Sequence, residues 1–174
     1  GGFSYNGQFI LTTDIVIDCS GNMYVADSSN NRIQKFDSNG NFVFKYGTFG
    51  VEDGQLSIPQ GIALDSQGNI YVADTGNNRV QKFDSSGNFL MKFGSQGAGN
   101  GQFSSPYDLV VASNGDIYVA DTFNSRIQKF NSLGEHILSF GSKGTANGQF
   151  TYPMGLTLDS EGNLYVADTY NNRV

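Results

Sequence analysis

Apolar and polar residues alternate along this chain in short bursts of four to six positions, each closed by a polar turn. Residues 70–73, Ile-Tyr-Val-Ala, are apolar on both parities, whereas neighbouring bursts such as Phe89-Leu-Met-Lys-Phe93 are interrupted by charge. Period-two or continuously apolar runs of this length predict β-strands, and no stretch carries apolar residues at helical spacing over ten or more positions. The turns are equally regular. Asp18-Cys-Ser-Gly-Asn22, Asp37-Ser-Asn-Gly-Asn41, Asp65-Ser-Gln-Gly-Asn69, Asp84-Ser-Ser-Gly-Asn88, Ala112-Ser-Asn-Gly-Asp116, Asn131-Ser-Leu-Gly-Glu135 and Asp159-Ser-Glu-Gly-Asn163 begin at intervals that alternate between 19 and 28 residues. An Asp or Asn that bonds its own backbone, followed by a Gly able to take positive φ, makes each pentapeptide a tight hairpin loop.

Two hairpins per unit give four strands, a to d. In the second unit they are predicted near residues 61–65, 70–74, 79–83 and 89–93. The unit itself recurs. Val-Ala-Asp ends at Asp27, Asp74, Asp121 and Asp168, and an Arg follows at Arg32, Arg79, Arg126 and Arg173, every interval being 47 residues. Strand b, apolar on both sides, has to be covered on both faces. Radial packing of such four-stranded sheets, the β-propeller, meets that demand better than a solenoid, whose coils are shorter and need no two hairpins per unit. The expected class is therefore all-β, with one propeller segment over residues 1–174 and repeats at about 1–47, 48–94, 95–141 and 142–174. That is about 3.7 blades, a partial propeller or part of a closed ring of about six. The last repeat stops at Val174 before strands c and d, so the expectation is a fragment of a longer protein. Its missing blades would come from the rest of the chain or from another copy.

Pro59-Gln-Gly-Ile-Ala-Leu-Asp65, Gly68-Asn-Ile-Tyr-Val-Ala-Asp74, Asn77-Asn-Arg-Val-Gln-Lys-Phe83 and Phe93-Gly94 together resemble the NHL repeat, and the resemblance covers essentially the whole chain. The first unit departs from it with Thr12-Thr13-Asp14 where the pattern has Pro-x-Gly, and the third with Asp108 for Gly and Ala112 for Asp. The resemblance implies a propeller of about six blades. It also brings three functional precedents: partner binding, single-stranded RNA binding, and lyase or lactonase chemistry around a metal held by several histidines.

Composition narrows these. With 14 Phe, 9 Tyr and a formal charge of −6, the chain can build a core and is not a disordered acidic tail. No apolar run approaches the roughly 20 residues of a membrane span, so no membrane insertion is expected. A pI near 4.5 and only ten Lys and Arg, most in the repeat register, argue against nucleic acid as a partner. One Cys and one His leave no zinc constellation, Cys–His dyad or Ser-His-Asp triad. His136 stands where Phe42 and Phe89 stand, as a packing substitution. Cys19 replaces a loop Ser. The Gly-rich stretches 94–101 and 141–148 join strand to strand and are read as linkers, not phosphate loops. The Asp-Ser-x-Gly-Asn loops lack the spacing and terminal Glu of a calcium loop. Asp27, Asp74, Asp121 and Asp168, each followed by its Arg, suit a repeated hydrogen-bonded turn or ion pair. No cofactor, metal site or catalytic residue is expected, and the chain is read as a non-enzyme. Any metal ligands of a lyase-type relative would lie outside it.

Binding residues are sought where the repeats differ, because shared positions serve packing. The b-to-c loops differ at Phe123 and Tyr170, and the approaches to strand a differ at Tyr107 and Tyr152. Both loop types open on one face of a propeller, so these four aromatics are expected to form one cluster across the third and fourth blades, recognising a protein or glycan partner. A self-assembling ring or fibre is the structural alternative, with the extracellular space or cell envelope favoured by the style of the loops.

Overall fold

The computed structural model describes residues 5–174, which form three four-stranded antiparallel sheets and one two-stranded sheet, each in sequential strand order. The first comprises β1 (Thr12–Ile17), β2 (Met23–Asp27), β3 (Arg32–Phe36) and β4 (Phe42–Tyr46). The second comprises β5 (Pro59–Leu64), β6 (Ile70–Asp74), β7 (Arg79–Phe83) and β8 (Phe89–Phe93). The third comprises β9 (Pro106–Val111), β10 (Ile117–Asp121), β11 (Arg126–Phe130) and β12 (His136–Phe140), and the fourth pairs β13 (Pro153–Leu158) with β14 (Leu164–Asp168). The chain is all-β in the described residues except for four single 3₁₀ turns, one after each strand b. Strand a starts two residues earlier than the pattern suggested, at Pro59 rather than Gly61. Pro59 pairs with Asp74, and the register slips before Ile62, as a strand-opening Pro without an N–H permits.

The hairpin loops close as the Asp/Asn-Gly chemistry requires. The Asp65 carboxylate accepts from the Gln67 amide at 3.0 Å, the Asn69 amide at 2.9 Å and the Asn69 side chain at 2.9 Å, while Gly68 sits at φ +79°. In the third blade Ala112 has no carboxylate, and Asn114 and Asp116 bond each other instead, at 2.8 and 3.0 Å.

Strands β1, β5, β9 and β13 lie side by side on the inside, so the blades stack about a common axis. The cores lie between sheets, not within one. Ala26, Ile33, Leu56, Ile62 and Val72 join the first and second blades; Ala73, Val80, Phe103, Leu109 and Val119 join the second and third. Ala120, Ile127, Leu156 and Val166 join the third and fourth. This is why β6 is buried at all five positions. The first two joints also carry an aromatic pair from strand d of one blade to strand c of the next, Tyr46 on Phe83 and Phe93 on Phe130, both at 4.8 Å.

The Tyr46 hydroxyl is the one buried side-chain polar atom without a hydrogen-bond partner among the described residues. Phe93 and Phe140 fill the same register in the later blades without a hydroxyl. Tyr46→Phe is therefore expected to raise the unfolding free energy by about 1 kcal/mol, since an unpaired buried hydroxyl costs that order. Urea denaturation checks this, and a loss of stability would show that the hydroxyl is satisfied.

Candidate functional site

The four repeated aspartates sit at the ends of β2, β6, β10 and β14, none more than 1% exposed. Asp74 shows what they do. Its carboxylate accepts from Arg79 Nε at 2.7 Å, Gln81 Nε2 at 2.9 Å, the Ser57 amide at 2.7 Å and Asn77 Nδ2 at 2.9 Å. Arg79 then spends its remaining donors on the carbonyls of Val51, Glu52 and Gln55 at 2.7, 2.8 and 2.9 Å. The carboxylate is thus the hub that fastens the linker from the previous blade. Arg32 meets Asp27, Arg126 meets Asp121 and Arg173 meets Asp168, each through Nε at 2.7 Å. Asp27, Asp74 and Asp121 also take a Gln side chain and are saturated by internal donors, whereas Asp168 accepts from the Thr151 amide, Asn171 Nδ2 and Arg173 Nε, each at 2.7 Å. The sequence reading omitted the Gln and Asn partners. Their signal was the Asn-x-Arg-x-Gln spacing at residues 30–34, 77–81 and 124–128.

The face formed by the b-to-c loops and the approaches to strand a is different. Phe123 and Tyr170, on the 3₁₀ turns, are 57% and 64% exposed. Tyr152 lies half-buried between them, its ring 5.4 Å from Phe123, edge-on at 81°, and 4.9 Å from Tyr170, tilted at 57°. The three rings form one aromatic slot, exposed at Phe123 and Tyr170 and half-buried at Tyr152. Tyr152 holds a left-handed backbone, φ +53°, uncommon for a bulky residue. Tyr107, half-buried on β9, makes no ring contact with the three. At the same register Gln60 reaches back to Ser28 at 3.4 Å and Thr13 donates forward to the Pro59 and Gln60 carbonyls at 3.3 and 2.8 Å, so that register lies against neighbouring inner strands.

A second feature lies along the axis, where a cleft of about 480 Å³ is lined by the inner strands. Asp14 and Asp108 face it, at the register held by Gly61 and Gly155 in the alternate blades. Each carboxylate bridges two blades. Asp14 accepts from Ile15 and Ile62 amides, both at 2.8 Å; Asp108 accepts from Leu109 at 2.8 Å and Leu156 at 2.7 Å. A Cβ on Gly61 would meet the Asp108 backbone at 2.7 Å, so the intervening blade has no room for a side chain there. Burial pushes the Asp108 carboxyl up to about 7, against its two amide bonds and with the Asp14 charge adding to the rise. Burial raises Asp14 in the same direction. The sequence signal for this pair was visible as two departures from glycine 94 residues apart. Among the described residues no three His, Cys, Asp or Glu side chains converge as metal ligands would. His136 Nε2 and Ser139 Oγ are 2.8 Å apart on β12, with Gln128 beyond Ser139, and no carboxylate completes them as a triad.

The family profile of the NHL repeat matches residues 13–36, 56–83, 103–130 and 150–174. Protein brain tumor of Drosophila melanogaster is 40% identical over 50 residues, a stretch covering 29% of this chain and 5% of that protein. Among solved structures, a streptogramin B lyase superposes with a TM-score of 0.73 at 19% identity, covering 92% of this chain and 49% of its own. A structural genomics protein of unknown function from Bacteroides thetaiotaomicron superposes with a TM-score of 0.74 at 19% identity, over 93% of this chain and 46% of its own. The chain thus spans about half of those structures and a small part of the Drosophila protein, and the structural likenesses establish the propeller fold. With four blades in one register, each meeting the repeat profile on its own strands and turns, the chain belongs to the NHL repeat family.

Proposed function

We propose that this chain is a non-catalytic binding module that recognises its partner on the loop face, through the aromatic slot of Phe123, Tyr152 and Tyr170. The observation that carries this reading is the contact of Tyr152 with both Phe123 and Tyr170 at sites where the repeats diverge, the two outer rings being exposed. Exposed, clustered aromatics supply contact area at low entropic cost and anchor interfaces. The repeated carboxylates, by contrast, are consumed by the fold.

Nucleic acid fits this face poorly, because residues 122–125, 151–154 and 169–172 contain no Lys or Arg to meet phosphates. The test is a binding screen of peptide and glycan arrays with the native chain and with Phe123→Ala and Tyr170→Ala. Each substitution is expected to weaken any specific ligand at least tenfold while changing stability by no more than about 1 kcal/mol. Ligands retained at native affinity by both variants would remove the aromatic slot from the account.

A further inference from the structure

Beside the slot, one backbone donor has lost the partner that the repeat elsewhere provides. Ile58, Ser105 and Tyr152 share one register and one left-handed backbone, at φ +50°, +52° and +53°. The Ile58 amide donates to Asn31 Oδ1 and the Ser105 amide to Asn78 Oδ1, both at 2.8 Å, each to the b-to-c loop of the preceding blade. The residue due to receive the Tyr152 amide is Ser125, at φ +54° like its Asn counterparts, whose hydroxyl oxygen stands one bond closer to the backbone than an Asn Oδ1. The Tyr152 N–H makes no hydrogen bond among the described residues. Three departures from the repeat therefore fall on a single joint: a ring at 123, a ring at 152, and a Ser at 125 that frees the donor between them.

The surroundings define what such a donor would take. The loops and strand-a approaches of this face, at residues 11–13, 28–31, 57–60, 75–78, 104–107, 122–125, 151–154 and 169–172, contain no Asp, Glu, Lys or Arg. The slot therefore offers a charged ligand no counter-ion. It offers flat apolar walls and one amide donor. With successive centroid distances of 5.4 and 4.9 Å, the Phe123 and Tyr170 rings lie no more than about 10 Å apart. A polyproline II strand repeats every third residue at about 9 Å, presents flat pyrrolidine rings, and leaves its carbonyls without internal partners.

Resting on the reading of this face as the binding surface, we infer that the slot takes an uncharged proline-rich segment of a partner protein. One pyrrolidine packs over the Tyr152 ring, flanked by Phe123 and Tyr170, and the carbonyl preceding it accepts from the Tyr152 amide. Aromatic-lined recognition of extended proline segments is an established physical solution, because the ligand is pre-ordered and binding costs little entropy.

The test is isothermal titration of the 174-residue chain with a blocked, uncharged decaproline peptide, and in parallel with a neutral hexasaccharide. Phe123→Ala is expected to weaken the peptide at least tenfold. Ser125→Asn restores the side chain that the other blades use, in a backbone conformation Asn tolerates, and so recaptures the Tyr152 amide. It is expected to weaken the peptide about fivefold, the worth of one net hydrogen bond, without lowering the melting temperature. No binding of the peptide at millimolar concentration, or native affinity in Ser125→Asn, overturns the inference. Binding of the hexasaccharide alone, with loss in Phe123→Ala, overturns the proline ligand and leaves the loop face standing. Binding of either probe that ignores Phe123→Ala overturns both.

Discussion

Asp74→Ala should cost this chain about 3–5 kcal/mol, the range found when one partner of a buried ion pair is removed. The carboxylate is fully buried, and its loss strands the Arg79 charge, 8% exposed, in the space between blade and linker. The same change leaves the Ser57 amide and the Asn77 and Gln81 side chains without their acceptor. Because single domains have only about 5–15 kcal/mol of net stability, a loss of that size brings the module close to unfolding at room temperature. The ladder also predicts a gradation. Arg173 is 34% exposed, so water can solvate its charge when Asp168 is removed, and Asp168→Ala should cost distinctly less. Urea unfolding followed by circular dichroism checks both; equal and small losses, under about 1 kcal/mol, would show that the ladder is not the fastening described.

Raising the pH from 5 to 8 should destabilise the chain, and Asp108→Asn should remove most of that dependence. The Asp108 carboxyl titrates at about 7 in the fold against 3.8 ordinarily, so between those values the folded state binds the extra proton. Stability from this group is fully present below the lower value and is lost as pH rises through the higher one. A displacement of this size corresponds to on the order of 4 kcal/mol once Asp108 is ionised. Asp14, raised by burial, acts in the same direction. The hairpin aspartates leave the window clear. Asp37, Asp84 and Asp159 are lowered, first by the side-chain bonds from Asn41, Asn88 and Asn163, so their contribution is lost only as pH falls below the ordinary carboxylate range. Chemical denaturation at pH 5 and pH 8 for the native chain and Asp108→Asn reads the effect. A native chain more stable at pH 8 would contradict the burial that drives it.

Most of the fold was legible because its determinants are local. The Asp-Ser-x-Gly-Asn loops carry their own hydrogen bonds, and strand b announces two covered faces by being apolar on both parities. The 47-residue register converts one such unit into a stack. The start of strand a was less legible, since Pro59 enters the sheet through a register slip that no periodicity marks. The aromatic slot was readable from divergence among repeats, but Tyr107 shares its composition without its position. That register lies on the inner strand against its neighbours, as Gln60 does toward Ser28 and Thr13 toward Gln60, apart from the three rings. The Asp14 and Asp108 pair was visible only as two lapses from glycine. Their bridging role depends on inner strands brought together across 48 residues of chain, a distance no local pattern spans.

The central claim is that recognition occurs on the uncharged loop face at the joint of the third and fourth blades. Amide correlation spectra of the isotope-labelled chain, titrated with the decaproline peptide and separately with a single-stranded RNA decamer, test it most directly. The account predicts peptide-induced shifts confined to residues 122–125, 151–154 and 169–172, and none with RNA. Shifts centred on the hairpin loops at residues 65–69, 112–116 and 159–163, or on the channel pair Asp14 and Asp108, would contradict it.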